Sequence, residues 1–352
     1  MIKNVKNIYY MLSYVYQRLS REGYRKLATE DFDNIQNLLA CIIEKEVTRL
    51  IKGGLSQEYV EFEELTGIPK GKIDFTESIK NMAFQQRKAI CHYEIYSENN
   101  LYNQIIKTTL LLLIRSKHID NKMKKDLKKI ILYFSNVDEI DCYSIKWNNL
   151  SYHRKFQSYH ILINMCYMVI RGLLLTTEDG AYRLAEYMDP EKEYRLFQKF
   201  VFAYIKKEHS DLIVKAPHIE WDLDCTPAPM YFDLLPQMET DIVIEYGKRT
   251  LIIDTKYYDR MLQSRNTSSK KTFISNNLYQ IFSYVKNYET SDRRSISGML
   301  LYAQTDEGIE PDYTYEMSGN KISIKSLDLN KEWSEISLQL DNMVEEFRLG
   351  AI

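Results

Sequence analysis

The chain has 352 residues, a formal net charge of −2, 45% hydrophobic and 27% charged residues; this predicts two domains with sizeable cores and excludes the whole-molecule positive field of an independent DNA binder. Five cysteines, at 41, 91, 142, 166 and 225, lack any C-x-x-C spacing and the six histidines lack ligand spacing, so they read as reduced core thiols and as packing or surface imidazoles, not as a disulfide framework or zinc site. The longest apolar stretch, Ile161 to Leu175, is interrupted by Asn164 and Arg171, and the amino terminus has no signal pattern, so no membrane association is expected and the cytoplasm is the expected location.

In chain order, Lys6 to Tyr16 has the pattern of an amphipathic helix, a second helix is expected near Asp31 to Ile51, and Tyr59 to Phe75 reads as β-rich with Gly and Pro. Within it, Gly67-Ile-Pro-Lys-Gly-Lys-Ile73 imitates a phosphate loop. Its spacing is one residue short, and Ile73 stands where a Ser or Thr would hold Mg²⁺, so it is read as a turn at a partner surface and no nucleotide site is expected. Leu101 to Phe134 reads as a long helical region, on which Lys122, Lys124, Lys125, Lys128 and Lys129 make a solvated face. A domain boundary is expected between about residues 160 and 190, punctuated by Thr176-Thr-Glu-Asp-Gly180 and Asp189-Pro190. The division is placed at 1–165 and 166–352. Beyond it come an amphipathic helix (Glu193 to Ile205), a strand (Leu212 to Leu223), two short β-branched strands (Asp241 to Tyr246, Thr250 to Lys256), a helix (Asn276 to Tyr288) and a strand (Ser297 to Tyr302). This order is α-β-β-β-α-β. A hairpin through Gly319-Asn320 (Tyr313 to Leu327) and a closing helix (Glu332 to Phe347) follow.

The two short strands carry the most chemistry. Gly247-Lys248 suits a two-residue hairpin turn, so Tyr246 faces Arg249. Counting outward puts Asp241 opposite Asp254, with Cβ atoms about 5 Å apart. Like charges facing each other destabilise a sheet and ask for a cation. Hard carboxylate oxygens suit Mg²⁺, with Mn²⁺ as an alternative, because magnesium takes one or two protein carboxylates and completes its shell with water and phosphate oxygens. Lys256, two residues past Asp254, projects from the same face, where its ammonium can orient water or neutralise a scissile phosphate. Asp-x-Lys alone says little: Asp120-Asn-Lys122 and Asp126-Leu-Lys128 sit in a polar helical stretch. Only Asp254-Thr-Lys256 ends a buried-looking strand and has a facing Asp. On the helix that follows, Gln280 and Tyr284 are four apart and share a face.

Asp241, Asp254-Thr-Lys256 and the Gln280-x-x-x-Tyr284 helix resemble the PD-(D/E)xK nuclease superfamily. The segments KNIYYMLSYVY (Lys6 to Tyr16), GIPKGKIDF (Gly67 to Phe75), ENNLYNQIIKTTL (Glu98 to Leu110), and LLPQMETDI followed by LIIDTKYY resemble, more closely, the McrC family of nuclease subunits of modification-dependent restriction systems. That resemblance implies an α+β, α/β-type multidomain chain: a C-terminal nuclease core with a mixed sheet flanked by helices, after a mixed helical and β N-terminal domain. It implies metal ligation by Asp241 and Asp254, Lys256 as catalytic lysine and Gln280 in support, with Tyr284 beside it. Many superfamily members place a Glu on the first core helix, where this chain has Gln198, read as a supporting residue. Glu193 is the acidic alternative, but five residues is about 500° of helix, so the two point about 140° apart.

The same resemblance implies double-stranded DNA of methylcytosine type as substrate. It also implies a GTP-driven AAA+ ring, McrB-like, as partner, with GTP bound there and stimulation of that GTPase by this chain, through its amino-terminal region. Arg260, Arg265, Lys270 and Lys271, in the loop between the catalytic strand and the Gln280 helix, are candidates for DNA or partner contact. The alternative is a non-cleaving activator of the ring with a degenerate nuclease core.

Overall fold

The computed structural model describes residues 2, 4–16, 19, 32–151, 154–176, 182–184, 189–223, 231, 233–257, 261–264, 271–288, 295–304 and 309–352. The chain forms two compact units, one of residues 33–188 and one that joins residues 1–32 to 189–352. No helix among the described residues is long and apolar enough to cross a membrane.

The first element, α1 (Val5–Val15), starts where the Asn4 side chain accepts from the Lys6 N–H. It belongs to the larger unit: Asn7 Nδ2 donates to the carbonyls of Leu329 and Lys331 at 2.8 Å each, and Tyr10 stacks on Trp333 at 4.6 Å. The apolar stripe of α1 was visible in the sequence, but a stripe does not say what covers it. The unit boundary therefore lies at residue 32 as well as at 188, rather than at 165.

The smaller unit contains α2 (Ile35–Lys52), a sheet of β1 (Glu58–Thr66), β2 (Lys72–Asp74) and β3 (Ala89–Ser97) in the order β1-β3-β2, and a short helix α3 (Phe75–Lys80). The segment that imitates a phosphate loop is the turn between β1 and β2. Helices α4 (Leu101–Arg115), α5 (Asn121–Ile130) and α6 (His160–Gly172) complete the unit. The expected single helical region breaks at 116–120, where Asn34, which caps α2, and Asn37 in its first turn donate to the His118 carbonyl and the Asp120 N–H donates to Asn37 Oδ1. Helix α6, through which the expected division would cut, packs on α2 and α4 and buries Ile163, Cys166 and Val169. A two-stranded pair, β4 (Leu174–Thr176) with β5 (Tyr182–Leu184), follows it. Four of the cysteines, at 41, 91, 142 and 166, are free and buried; Cys225 lies outside the described residues.

In the larger unit, α7 (Pro190–Glu208) begins with Asp189 capping the N–H groups of Glu191 and Lys192 and Pro190 in its first turn. The expected strand over Leu212 to Leu223 is instead two short pieces, β6 (Ile213–Lys215) and β7 (His218–Ile219), the latter paired with β8 (Met238–Glu239). Pro217 between them has no N–H for a continuous ladder. Then come β9 (Ile242–Tyr246) and β10 (Arg249–Lys256), a small pair of β11 (Leu262–Ser264) and β12 (Lys271–Phe273), helix α8 (Ser275–Asn287), β13 (Ser295–Ala303), the hairpin β14 (Asp312–Met317) and β15 (Asn320–Leu327), and α9 (Trp333–Leu349). The hairpin turns at Ser318-Gly319, one residue before the expected position.

The main sheet is mixed, with order β14-β15-β13-β10-β9-β6; β10, β13 and β15 run parallel and the other neighbours are antiparallel. On one face Val243, Ile252, Leu300, Ile322 and Ile324 bury against Ile281 and Val285 of α8. Helices α7 and α9 pack on β10 and β15.

Candidate active site

The β9–β10 hairpin has the expected register. Tyr246 pairs with Arg249 across Gly247-Lys248, with Gly247 at φ +56°, and the ladder closes with Ile242 opposite Ile253. One step further the strands fork, with Asp241 at the mouth opposite Asp254. There the Thr255 N–H has no ladder partner on β9, and Asp241 Oδ2 takes it at 2.7 Å together with the Thr255 hydroxyl at 2.6 Å. Asp241 Oδ1 accepts from Gln198 Nε2 of α7 at 2.8 Å. Asp241 is therefore fixed at the sheet's fork by a backbone amide, a hydroxyl and an amide side chain.

Asp254 and Lys256 point to the α8 face, alternating with Thr255. Both are buried, and Lys256 Nζ lies 2.5 Å from Asp254 Oδ2. The same ammonium donates to Gln280 Oε1 at 2.9 Å, Gln280 Nε2 donates to the Tyr284 hydroxyl at 2.8 Å, and Tyr284 donates to the Glu239 carbonyl at 3.0 Å. Each link fixes the next: the carbonyl sets the Tyr284 proton, which sets the Gln280 amide, which aims its oxygen at Lys256. Burial, with Asp254 and Asp241 adding to it, raises the Tyr284 pKa despite the opposing Gln280 hydrogen bond, so the hydroxyl stays protonated as a donor.

Helix α8 comes this close because of Gly298 on β13. A Cβ there would lie 2.8 Å from both Ile281 Cγ1 and Val285 Cγ2. Gly298→Ala is expected to destabilise by about 1–3 kcal/mol through overpacking. By lifting α8 it would also loosen the Gln280–Lys256 bond; melting curves of the variant and the parent chain check the destabilisation.

The Asp254 carboxyl is pushed up to about 6, first by burial and then by the Asp241 charge, with Lys256 opposing. Its Oδ2 is buried and, beyond the ion pair, makes no hydrogen bond. A buried carboxylate oxygen short of donors, beside a second carboxylate, fits a hard divalent cation. Among the described residues no group of three or more His, Cys, Asp or Glu side chains converges. The donor set present is a carboxylate pair, a set of hard oxygens that fits a magnesium ion completing its shell with water.

The structure brings together Asp241, Asp254, Lys256, Gln198, Gln280 and Tyr284. Glu193 is placed elsewhere: it is buried on α7, accepts from the Tyr257 hydroxyl, and its pKa is raised chiefly by burial. This matches the angular separation of Glu193 from Gln198. Lys271 is exposed on β12; Arg260, Arg265 and Lys270 lie outside the described residues. Sequence reasoning missed Thr255 and the Glu239 carbonyl. Thr255 was detectable as the only hydroxyl next to both Asp254 and Lys256; the carbonyl left no sequence signal.

Fold and site define an α+β protein whose mixed sheet forks at a carboxylate pair backed by an anchored lysine. The chain belongs to the family described as McrBC 5-methylcytosine restriction system component, whose profile matches residues 3–303. It is 26% identical over 344 residues to the type IV methyl-directed restriction enzyme EcoKMcrBC of Escherichia coli (strain K12), covering 97% of each chain. Among solved structures it is similar to McrC bound to McrB AAA+ hexamers in a half-complex from a tetradecameric assembly of Thermococcus gammatolerans (14% identity, TM-score 0.45, 88% of this chain and 68% of that one). It is also similar to the cryo-EM McrBC complex of that organism (16% identity, TM-score 0.40, 58% of each).

Proposed function

We propose that this chain is the Mg²⁺-dependent DNA endonuclease component of its restriction system, with a PD-(D/E)xK core in the larger unit. The observation that carries the reading is the anchored line Asp254–Lys256–Gln280–Tyr284 facing Asp241 at the sheet's fork. An ordinary charged strand end needs no such supports, whereas a positioned lysine beside a destabilised carboxylate pair is suited to phosphodiester hydrolysis.

Asp241 and Asp254 would hold Mg²⁺, or Mn²⁺ in its place. When bound, the cation supplies Lewis-acid polarisation of the phosphoryl oxygen and a water of lowered pKa. Thr255 and Gln198 hold the Asp241 oxygens in place. Lys256 offers its ammonium to orient the attacking water and to balance charge developing on the scissile phosphate, and Gln280 limits where that ammonium sits.

As an McrBC component, the chain is proposed to act with an McrB-like AAA+ ring that binds GTP and delivers double-stranded, methylcytosine-containing DNA. The ring-facing surface is assigned to residues 33–188 rather than to α1, which is committed to the larger unit. That smaller unit exposes the large apolar side chains of Tyr59, Ile68, Phe75, Ile79 and Met82 on β1, α3 and the turns beside them, at 61% exposure or more, surface that a protein partner would cover.

The test is cleavage of methylated and unmethylated plasmid by the purified chain with Mg²⁺ and GTP, alone and with the AAA+ protein of the same system. Cleavage that needs both proteins and vanishes with EDTA is expected. GTP turnover that responds while DNA stays whole, across metals and modifications, would leave the chain an activator on a nuclease-like scaffold.

A further inference from the structure

A groove of about 700 Å³ opens beside Asp241, between α1 and α7. Its floor is two adjacent rows of α7: Gln198, Phe202 and Lys206 at four-residue steps, and Lys199, Ala203 and Lys207 beside them. All three lysines are exposed. Lys199 and Lys206 meet no carboxylate among the described residues, and Lys206 lies over the Phe202 ring at 5.6 Å. Lys207 lies over the Tyr14 ring at 4.5 Å and 3.7 Å from the exposed Glu208. In a chain of net charge −2, these cations are concentrated along one wall that ends at Asp241.

We infer that this groove seats the phosphate backbone of one DNA strand and leads it to Asp241 and Asp254, an inference that rests on the nuclease reading. Lys199 and Lys206 are seven residues apart and so lie on nearly the same side of α7. Their separation is about 10 Å along the helix axis, the axial length of about three phosphate-to-phosphate steps in one strand of a duplex lying along the helix. The Phe202 ring carries the Lys206 ammonium without neutralising it, and Lys199 meets no carboxylate among the described residues, which leaves both charges available to phosphate. The small Ala203, between Lys199 and Lys207 in its row, gives a strand room to approach. Gln198 stands at the inner end of the track and bonds the Asp241 carboxylate directly, so backbone seated there runs straight to the candidate site.

The test is binding of a labelled oligonucleotide duplex to the full chain, with Ca²⁺ replacing Mg²⁺ so that DNA remains whole, across a salt series. Lys199→Ala/Lys206→Ala/Lys207→Ala is expected to weaken binding by at least about tenfold at low salt and to flatten log Kd against log salt by about 2–3. Lys122→Ala/Lys125→Ala/Lys128→Ala on α5, an equal loss of charge, is expected to bind like the parent chain. Should the triple groove variant melt early, Lys199→Ala/Lys206→Ala, which breaks no ion pair, is expected to flatten the slope by about 1–2. Parent-like binding by a folded groove variant overturns the inference, as does equal weakening in the α5 control. Parent-like DNA binding with lost stimulation of the AAA+ GTPase would also overturn it, making the groove a partner face. The nuclease reading fails separately, if Asp254→Ala still cuts DNA in the complete system.

Discussion

Lys256→Ala is expected to reduce plasmid cleavage on the order of 10²–10³-fold, the scale of removing one preorganised charge from a transition state, while stimulation of the partner's GTPase is retained. Lys256 is 6% exposed and holds two contacts, Asp254 Oδ2 at 2.5 Å and Gln280 Oε1 at 2.9 Å. Removing it takes away the ammonium, and also the one influence that opposes burial and the Asp241 charge in raising the Asp254 pKa. That carboxyl then stays protonated to higher pH. Cation binding must displace the proton, so the variant's residual cleavage should recover partly as pH rises, with a midpoint above that of the parent chain. A lysine that only supported the fold would lower the melting temperature without moving the pH profile. Plasmid nicking over a pH series, read beside GTP turnover, separates the two. Cleavage unchanged from the parent chain would remove Lys256 from the site.

The hairpin was legible because its information is local. β-Branched runs, a Gly-containing two-residue turn and period-two alternation fix the register, and the register fixes Asp241 against Asp254. Gln280 and Tyr284 were legible for a similar reason, since four-residue spacing puts them on one helix face. What joins them to Lys256 was not legible. It depends on how near α8 sits to the sheet, which is set by the missing side chain of Gly298, a residue that in sequence merely sits within an apolar run. The unit boundaries were hidden by long-range partners: α1 shows an apolar stripe, but its mates Leu329, Lys331 and Trp333 lie over 300 residues away. The break at residues 116–120 likewise depends on asparagines of α2, about 80 residues earlier. The strand expected across Pro217 failed on chemistry already in the sequence, a residue without an N–H placed where the ladder needed one.

Asp254→Asn is expected to make the metal-free protein more stable at pH 8 while abolishing cleavage and cation binding. In the folded chain the Asp254 carboxyl is pushed from 3.8 up to about 6, with burial the largest cause. The native state therefore holds this proton more tightly than the unfolded chain does. The associated stability is fully present below about pH 4 and is lost as pH rises through about 6. The rise corresponds to about 3 kcal/mol at most, and the carboxyl is 2% exposed, so solvent screens little of it. Asparagine keeps the shape and never ionises, so it should retain that stability at every pH. The melting temperature of Asp254→Asn should exceed that of the parent by up to about 6–12 °C at pH 8, with the gap closing toward pH 4. Mg²⁺ should reverse the order, because a cation that binds only the native pair stabilises the parent and does nothing for the variant. The parent's cation affinity should in turn fall as pH drops through about 6, where the proton competes for the same oxygens. Melting curves at pH 4, 6 and 8, with and without Mg²⁺, carry the test. If the variant is no more stable at pH 8, or Mg²⁺ shifts both proteins alike, Asp254 is not held ionised against its surroundings for a cation. A gap that widens with pH and inverts with Mg²⁺ would mean that the site's strain is its affinity: the fold keeps a charge where only a metal makes it favourable.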